Sequence, residues 1–227
     1  MLLRIPGVLT AEEVAHVVSV LSATEWVDGR ITAGQQAARA KHNLQVPEAA
    51  PEARQLADLV LRAMGRNALF NSAALPLRLV PPLFNRYDAG MRFDDHVDSA
   101  LRFVANASMR IRTDVSTTLF LTDPETYDGG ELVIQDTFGT QEIKLAAGDA
   151  VIYPSTSLHR VKEITRGSRW ASFFWTQSLI RSDDQRRLLF ELDSNIQQLS
   201  SEIGQSHPTV VSLTANYHNL LRMWAEI

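Results

Sequence analysis

Apolar residues near the start of the chain recur at helical spacing. Val14, Val17, Val18 and Leu21 follow Thr10 and Glu13, a pair spaced for a capping box, with Leu9 and Val14 placed as its hydrophobic staple. An amphipathic opening helix is predicted. Residues 26–46 are polar and Ala-rich with no clear period. Pro51 then begins a second helix carrying Leu56, Leu59, Val60, Ala63 and Met64, with Gly65 as its stop. From Leu77 to Gln177 the pattern changes to short β-branched and aromatic runs separated by Gly, Pro and Asp turns, as expected of an antiparallel sandwich or jelly roll. Beyond it, Ser182 and Gln185 predict another capping box before Leu188, Leu189, Leu192, Ile196 and Leu199. His207-Pro208 breaks the chain ahead of a last helix with Leu213, Leu220, Leu221 and Trp224. The expected fold is mainly β, with residues 1–76 as N-terminal helical support, 77–178 as the sheet core and 179–227 as a C-terminal helical tail.

Length and composition narrow the function. A chain of 227 residues, 45% apolar, suits one β-sandwich or barrel with helical additions. Its formal charge of -4 argues against a dedicated nucleic-acid binder. With no cysteine there is neither a disulfide framework nor a thiolate metal site, which fits a reducing cytoplasm. The first residues lack a basic region followed by a long apolar core, and no apolar run approaches a membrane span, so a soluble cytoplasmic protein is expected.

The chemistry concentrates in His96-Val97-Asp98 and in the distant His159. On a strand, residues i and i+2 share a face, so His96 and Asp98 converge on one point. A third ligand brought by the fold completes two nitrogens and one oxygen on one face of a metal, the arrangement of non-haem ferrous oxygenases. Zinc accepts similar donors, and donor count alone does not exclude a zinc hydrolase. Asp94 has the same spacing from His96 and competes with Asp98, whereas Asp95 points to the other face. Arg169, ten residues after His159, offers a planar two-pronged match to the far carboxylate of a chelating dicarboxylic co-substrate. Between them a strand at 160–164, a turn at Thr165-Arg166-Gly167 and a strand at 168–175 are predicted, forming either a hairpin or a sheet-to-sheet crossing. A hairpin would leave Arg169 about 13 Å along the strand from His159; a crossing would bring the two closer.

Other features have plainer readings. His16, His42, His207 and His218 have no spaced partner ligand, and Gly129-Gly130 reads as a tight turn rather than a phosphate loop. The segment Ser99–Asp114 carries Arg102, Arg110 and Arg112 among apolar residues; it is either a solvated loop or a lid, with Arg110 and Arg112 either candidate substrate contacts or partners of nearby Asp residues. The tail is equally a cap on the sheet or the surface of a homodimer.

A set of motifs then points to one family. They are Asn85-Arg86-Tyr87, His96-Val97-Asp98, Arg112-Thr113-Asp114, Thr117–Leu121, Asp128–Leu132 and Ala147-Gly148-Asp149, followed by Tyr153-Pro154, Leu158–Val161, Thr165-Arg166-Gly167, Arg169 and Phe174–Ser178. Together with the helical tail this pattern resembles the bacterial PKHD-type hydroxylases, within the prolyl 4-hydroxylase group of Fe(II)- and 2-oxoglutarate-dependent dioxygenases. Thr176 departs from the Ile more usual before Gln177-Ser178.

The resemblance implies a double-stranded β-helix (jelly roll), Fe(2+) bound by His96, Asp98 and His159, and 2-oxoglutarate held at its distal carboxylate by Arg169. It also implies a further hydrogen bond to the co-substrate from Tyr87, which would otherwise be a packed aromatic. The implied reaction consumes dioxygen, converts 2-oxoglutarate to succinate and carbon dioxide and hydroxylates a substrate, with L-ascorbate re-reducing the iron. The substrate is either a prolyl or lysyl side chain of a peptide or a small molecule linked to iron acquisition. A metal- and 2-oxoglutarate-binding sensor without turnover is the alternative on the same fold.

Overall fold

The computed structural model describes residues 1–32, 40–104, 108–136 and 139–227. The N-terminal part runs β1 (Leu3–Ile5), α1 (Ala11–Ser22), β2 (Val27–Asp28), β3 (Lys41–His42), β4 (Leu44–Gln45), α2 (Pro51–Arg66) and α3 (Ala68–Ala74). Next come β5 (Pro76–Leu79), β6 (Leu83–Asp88), β7 (Arg92–His96), β8 (Leu101–Val104), β9 (Met109–Arg112) and β10 (Val115–Phe120). Strands β11 (Asp128–Gly129), β12 (Leu132–Asp136), β13 (Gly139–Ile143), β14 (Ala150–Pro154), β15 (His159–Val161), β16 (Ile164–Arg166) and β17 (Ser168–Ser178) complete the sheets. Helices α4 (Asp183–Ile203) and α5 (Pro208–Trp224) form the tail.

Two antiparallel sheets make a jelly roll. The larger has the order β1-β14-β10-β17-β6-β4-β2, with β5 also on β17, and the smaller the order β13-β12-β15-β7-β3. Between them lies a core of Tyr87, Phe120, Val151 and Tyr153 from one sheet against Leu132, Ile134 and Val161 from the other. The outer face of the larger sheet, through Leu119, Ile152 and Phe174, meets Val17 and Leu21 of α1 and Leu56, Val60 and Met64 of α2. This double cover explains why all six residues of β10 are buried: alternate side chains serve the two cores.

Local chemistry sets the helix ends. The Thr10–Glu13 capping box forms in both directions. Helix α2 runs one residue past Gly65, because the break falls at Asn67, whose side chain caps α3 by accepting from the Phe70 amide at 2.9 Å. The separate helix α3 was not predicted. At α4, Ser182 Oγ accepts from the Gln185 amide at 3.4 Å. The tail folds on itself and buries Leu189 with Leu220, Leu221 and Trp224 against Leu75 and Ile180.

Two segments depart from expectation. The aperiodic stretch after Trp26 supplies β2, β3 and β4, which extend both sheets by short pairings. Two-residue strands are too short to show a period. The segment Ser99–Asp114 is not a loop but the hairpin β8–β9, with Arg102 opposite Ile111 and Phe103 opposite Arg110; its residues 105–107 lie outside the described residues.

Candidate active site

His96 is the last residue of β7 and lies opposite His159 on β15, so two imidazoles enter the space between the sheets from adjacent strands. Their ring centroids are 4.2 Å apart. Asp98 sits two residues beyond the strand end, and one ligand atom from each of His96, Asp98 and His159 lies within 4.8 Å of the other two. His159 Nε2 is 3.9 Å from Asp98 Oδ2.

Surrounding groups fix all three side chains. His96 Nδ1 donates to the Asp94 carbonyl at 2.8 Å and His159 Nδ1 to the Ser157 carbonyl at 3.0 Å. With Nδ1 protonated on each ring, both Nε2 lone pairs are left for a metal. Burial, followed by the charge of His159, lowers the His96 pKa to about 4, so its ring is neutral at pH 7 as a ligand must be. Phe93 stacks on it with centroids 3.5 Å apart. Ser116 Oγ donates to Asp98 Oδ2 at 2.6 Å and shares a second bond of 2.8 Å with Ser155 Oγ, both serines being buried. Neither serine was singled out from the sequence, which has no signal for a hydroxyl behind a carboxylate.

Asp94 engages differently. Its backbone carbonyl orients His96, but its exposed carboxylate pairs with Arg92 at 3.0 Å, and Asp95 pairs with Arg160 at 3.1 Å. Among the described residues the cluster of possible metal ligands contains Asp98 and not Asp94.

The link from His159 to Arg169 is a crossing. Strand β16 pairs with β11, after which Gly167 (φ 75°) turns the chain into β17 of the larger sheet. A Cβ at Gly167 would lie 2.3 Å from the Thr126 carbonyl oxygen, so glycine is required there both for its φ and for space. The crossing returns Arg169 to the cavity that His96, Asp98 and His159 also line. Arg169 is 1% exposed and lies opposite Tyr87 of β6, its guanidinium 5.6 Å from the Tyr87 ring and 5.0 Å from that of Phe120. Among the described residues no carboxylate lies within ion-pair distance of Arg169, and its Nε has no hydrogen-bond partner. Gly130 makes room for it, since a Cβ there would meet Arg169 Cδ at 3.1 Å. Tyr87 is fully buried, which pushes its pKa up to about 12 and keeps its hydroxyl protonated as a donor.

The arginines of the hairpin divide by strand parity. Arg102 faces inward and lines the cavity, whereas Arg110 and Arg112, expected as substrate contacts, do not line it. Arg110, opposite the outward Phe103, is exposed. Arg112 chelates Asp114 at 2.7 and 3.0 Å and reaches Glu226 at 3.1 Å, tying the hairpin base to the tail.

Comparison with known proteins agrees with this geometry. The model of the 2OG-Fe(II) oxygenase superfamily matches residues 82–177, and that of the PKHD-type hydroxylase C-terminal domain matches residues 183–226. A PKHD-type hydroxylase of Gluconobacter oxydans is 63% identical over 227 residues, covering 100% of both chains. The chain belongs to the PKHD-type hydroxylases. Another member, PiuC of Pseudomonas aeruginosa, is 56% identical, again over 100% of both chains. A prolyl-4-hydroxylase from Pseudomonas putida shares the fold with a TM-score of 0.53 at 20% identity, covering 78% of this chain and 92% of that one. The nogalamycin-pathway epimerase SnoN, described as α-ketoglutarate dependent, gives a TM-score of 0.55 at 18% identity over 79% of this chain and 78% of that one. This PKHD-type hydroxylase is thus a dioxygenase by family, and no helix among its described residues is long and apolar enough to cross a membrane.

Proposed function

We propose that His96, Asp98 and His159 hold ferrous iron, that Arg169 and Tyr87 hold 2-oxoglutarate beside it, and that the enzyme hydroxylates a substrate entering from the cavity mouth. The donor set fits the metal: two imidazole nitrogens and one carboxylate oxygen lie within 4.8 Å of one another on the wall of the cavity. When bound, iron with 2-oxoglutarate supplies the oxidising chemistry, in which dioxygen gives one oxygen atom to succinate and one to a substrate C–H bond as carbon dioxide leaves.

The protein's part is to bind, orient and exclude water. The Ser116–Ser155 pair holds Asp98 Oδ2, and the Asp94 and Ser157 carbonyls hold the two rings. Phe93, Tyr153 and Leu132 wall the cavity with apolar surface. Arg169 receives the distal carboxylate, and the Tyr87 hydroxyl donates to the same molecule.

One observation carries this reading: a guanidinium buried to 1% exposure, with no carboxylate among the described residues to pair with, faces the same cavity as the three ligands. An unpaired buried charge costs several kcal/mol, so the site is built to receive an anion there. A zinc hydrolase has no need of such a group. The test is succinate formation by the iron-loaded protein with 2-oxoglutarate under air and under argon. Succinate that requires both iron and dioxygen, and is stimulated by ascorbate, supports an enzyme. Binding of 2-oxoglutarate without succinate would leave the sensor reading.

A further inference from the structure

Beside Arg169 lies a second buried polar group, the hydroxyl of Tyr127. This residue joins the 3₁₀ turn Pro124–Thr126 to β11 and is fully buried, and among the described residues neither its Oη nor Arg169 Nε has a hydrogen-bond partner. The two side chains are neighbours. A Cβ at Gly130 would lie 3.1 Å from Tyr127 Cε2 and 3.1 Å from Arg169 Cδ, the atoms bonded to the phenol carbon and to Nε. Burial raises the Tyr127 pKa, and Arg169 opposes that rise by its charge and by hydrogen-bonding approach. The approach stops short of a closed hydrogen bond, since both atoms remain without a partner.

The phenol is clamped in place. A Cβ at Gly167 would meet Tyr127 Cα at 3.0 Å and Cβ at 3.1 Å, so two glycines of positive φ, Gly130 at 69° and Gly167 at 75°, make way for one side chain. Lys144 adds to the clamp, its Nζ donating to the Tyr127 carbonyl at 2.7 Å and lying 4.1 Å from the ring centroid. The guanidinium is held less definitely. Tyr87 and Phe120 lie 5.6 and 5.0 Å from it, and an aromatic face attracts a charge without fixing where each N–H bond points. A carboxylate requires that direction, because it is met by two parallel N–H bonds. An acceptor on Nε supplies it by setting the plane of the group, which leaves the two terminal nitrogens as the fork. An Nε–H buried without an acceptor is also destabilising, so closing the pair removes one unmet donor.

We propose that Tyr127 is a positioning residue for the co-substrate: its hydroxyl closes onto Arg169 Nε when 2-oxoglutarate binds and aims the terminal nitrogens at the distal carboxylate. Tyr127 does not line the cavity, so it acts through Arg169. The role rests on the oxygenase reading above and adds to it a residue beside the guanidinium.

The test titrates the full chain, loaded with Co(II), with 2-oxoglutarate and with 2-oxopentanoate, in which a methyl group replaces the distal carboxylate. Tyr127→Phe keeps the ring between the two glycines and removes only the acceptor. It is expected to weaken 2-oxoglutarate about tenfold or more and to leave 2-oxopentanoate unchanged, as loss of a hydrogen bond from a charged donor requires. A merely structural role would weaken both ligands alike. In an Arg169→Met background the same substitution is expected to change neither affinity further, because the group it positions is gone. Wild-type protein gives an independent reading by NMR with Zn(II) in place of cobalt. The Arg169 Nε–H, identified by its absence from Arg169→Met, is expected to exchange with water more slowly once 2-oxoglutarate binds, and to lose that protection in Tyr127→Phe. An unchanged preference for 2-oxoglutarate in Tyr127→Phe overturns the proposal, as does an equal loss for both ligands or a wild-type Nε–H whose exchange ignores the co-substrate. The two readings fail separately. Absence of 2-oxoglutarate binding to the wild-type Co(II)-loaded chain would bring down the oxygenase assignment, whereas normal binding that Tyr127→Phe leaves untouched removes only this inference.

Discussion

Replacing Arg169 by Met removes the charge but keeps an unbranched chain of similar girth, and two opposite effects are expected. Loss of one charged, hydrogen-bonded partner at a desolvated site costs about 2–5 kcal/mol, which is a rise of roughly 30-fold to several thousand-fold in the dissociation constant of 2-oxoglutarate. In the protein without co-substrate the sign reverses. There the guanidinium is 1% exposed with no carboxylate among the described residues, held over the faces of Tyr87 and Phe120, so its removal relieves a desolvation cost of several kcal/mol against cation–π losses of about 1–2 kcal/mol each. The melting temperature of unliganded Arg169→Met is therefore expected to hold or rise. Thermal melts of Co(II)-loaded protein read both effects. Wild-type protein with 2-oxoglutarate at about a hundred times its dissociation constant gains about 2.7 kcal/mol, and a variant weakened a hundredfold gains only about 0.4 kcal/mol. A second assay compares 2-oxoglutarate with 2-oxobutanoate, which lacks the distal carboxylate: the wild type should discriminate strongly and the variant hardly at all. Undiminished 2-oxoglutarate affinity in Arg169→Met, or discrimination that survives the substitution, would refute the reasoning.

Other consequences are checked in simpler experiments. Asp98→Ala is expected to abolish iron-dependent succinate formation while Asp94→Ala retains it, because the Asp94 carboxylate faces Arg92 and only its carbonyl serves the site; the opposite result would exchange the two roles. Ser116→Ala should weaken metal binding about 10- to 100-fold through loss of the bond to Asp98 Oδ2, measured by Co(II) titration, with Ser116→Thr recovering part of it. Arg112→Ala should lower stability by about 1.5–3 kcal/mol, read by denaturant unfolding, with the affinity for 2-oxoglutarate unchanged, because Arg112 bonds Asp114 and Glu226 and not the cavity; an altered co-substrate affinity would place it in the site after all.

What the sequence shows of this site, and what it hides, both follow from parity. On a regular strand His96 shares a face with Asp94 and with Asp98 alike, so spacing gives the metal two equivalent carboxylates. The fold breaks the tie by ending β7 at His96: Asp94 stays in the strand and pairs with Arg92, while Asp98, freed from the pleat, turns toward His159 and the Ser116–Ser155 pair. In the hairpin the rule had no strand to act on. Arg102, Arg110 and Arg112 look alike in sequence, yet the pairing of Arg102 with Ile111 turns it inward, and the pairing of Phe103 with Arg110 turns that arginine out. Parity assigns a face only once the turn is placed, and turn placement is what the polar segment conceals. Lys41 illustrates the remaining limit. It comes from a stretch with no hydrophobic period, because β3 is two residues long and takes its place from pairing with β7 rather than from a core face of its own. A periodic pattern reports burial accumulated over several residues. A side chain placed by so short a pairing leaves no such pattern, so a residue such as Lys41 reaches the cavity wall without any mark in the local sequence.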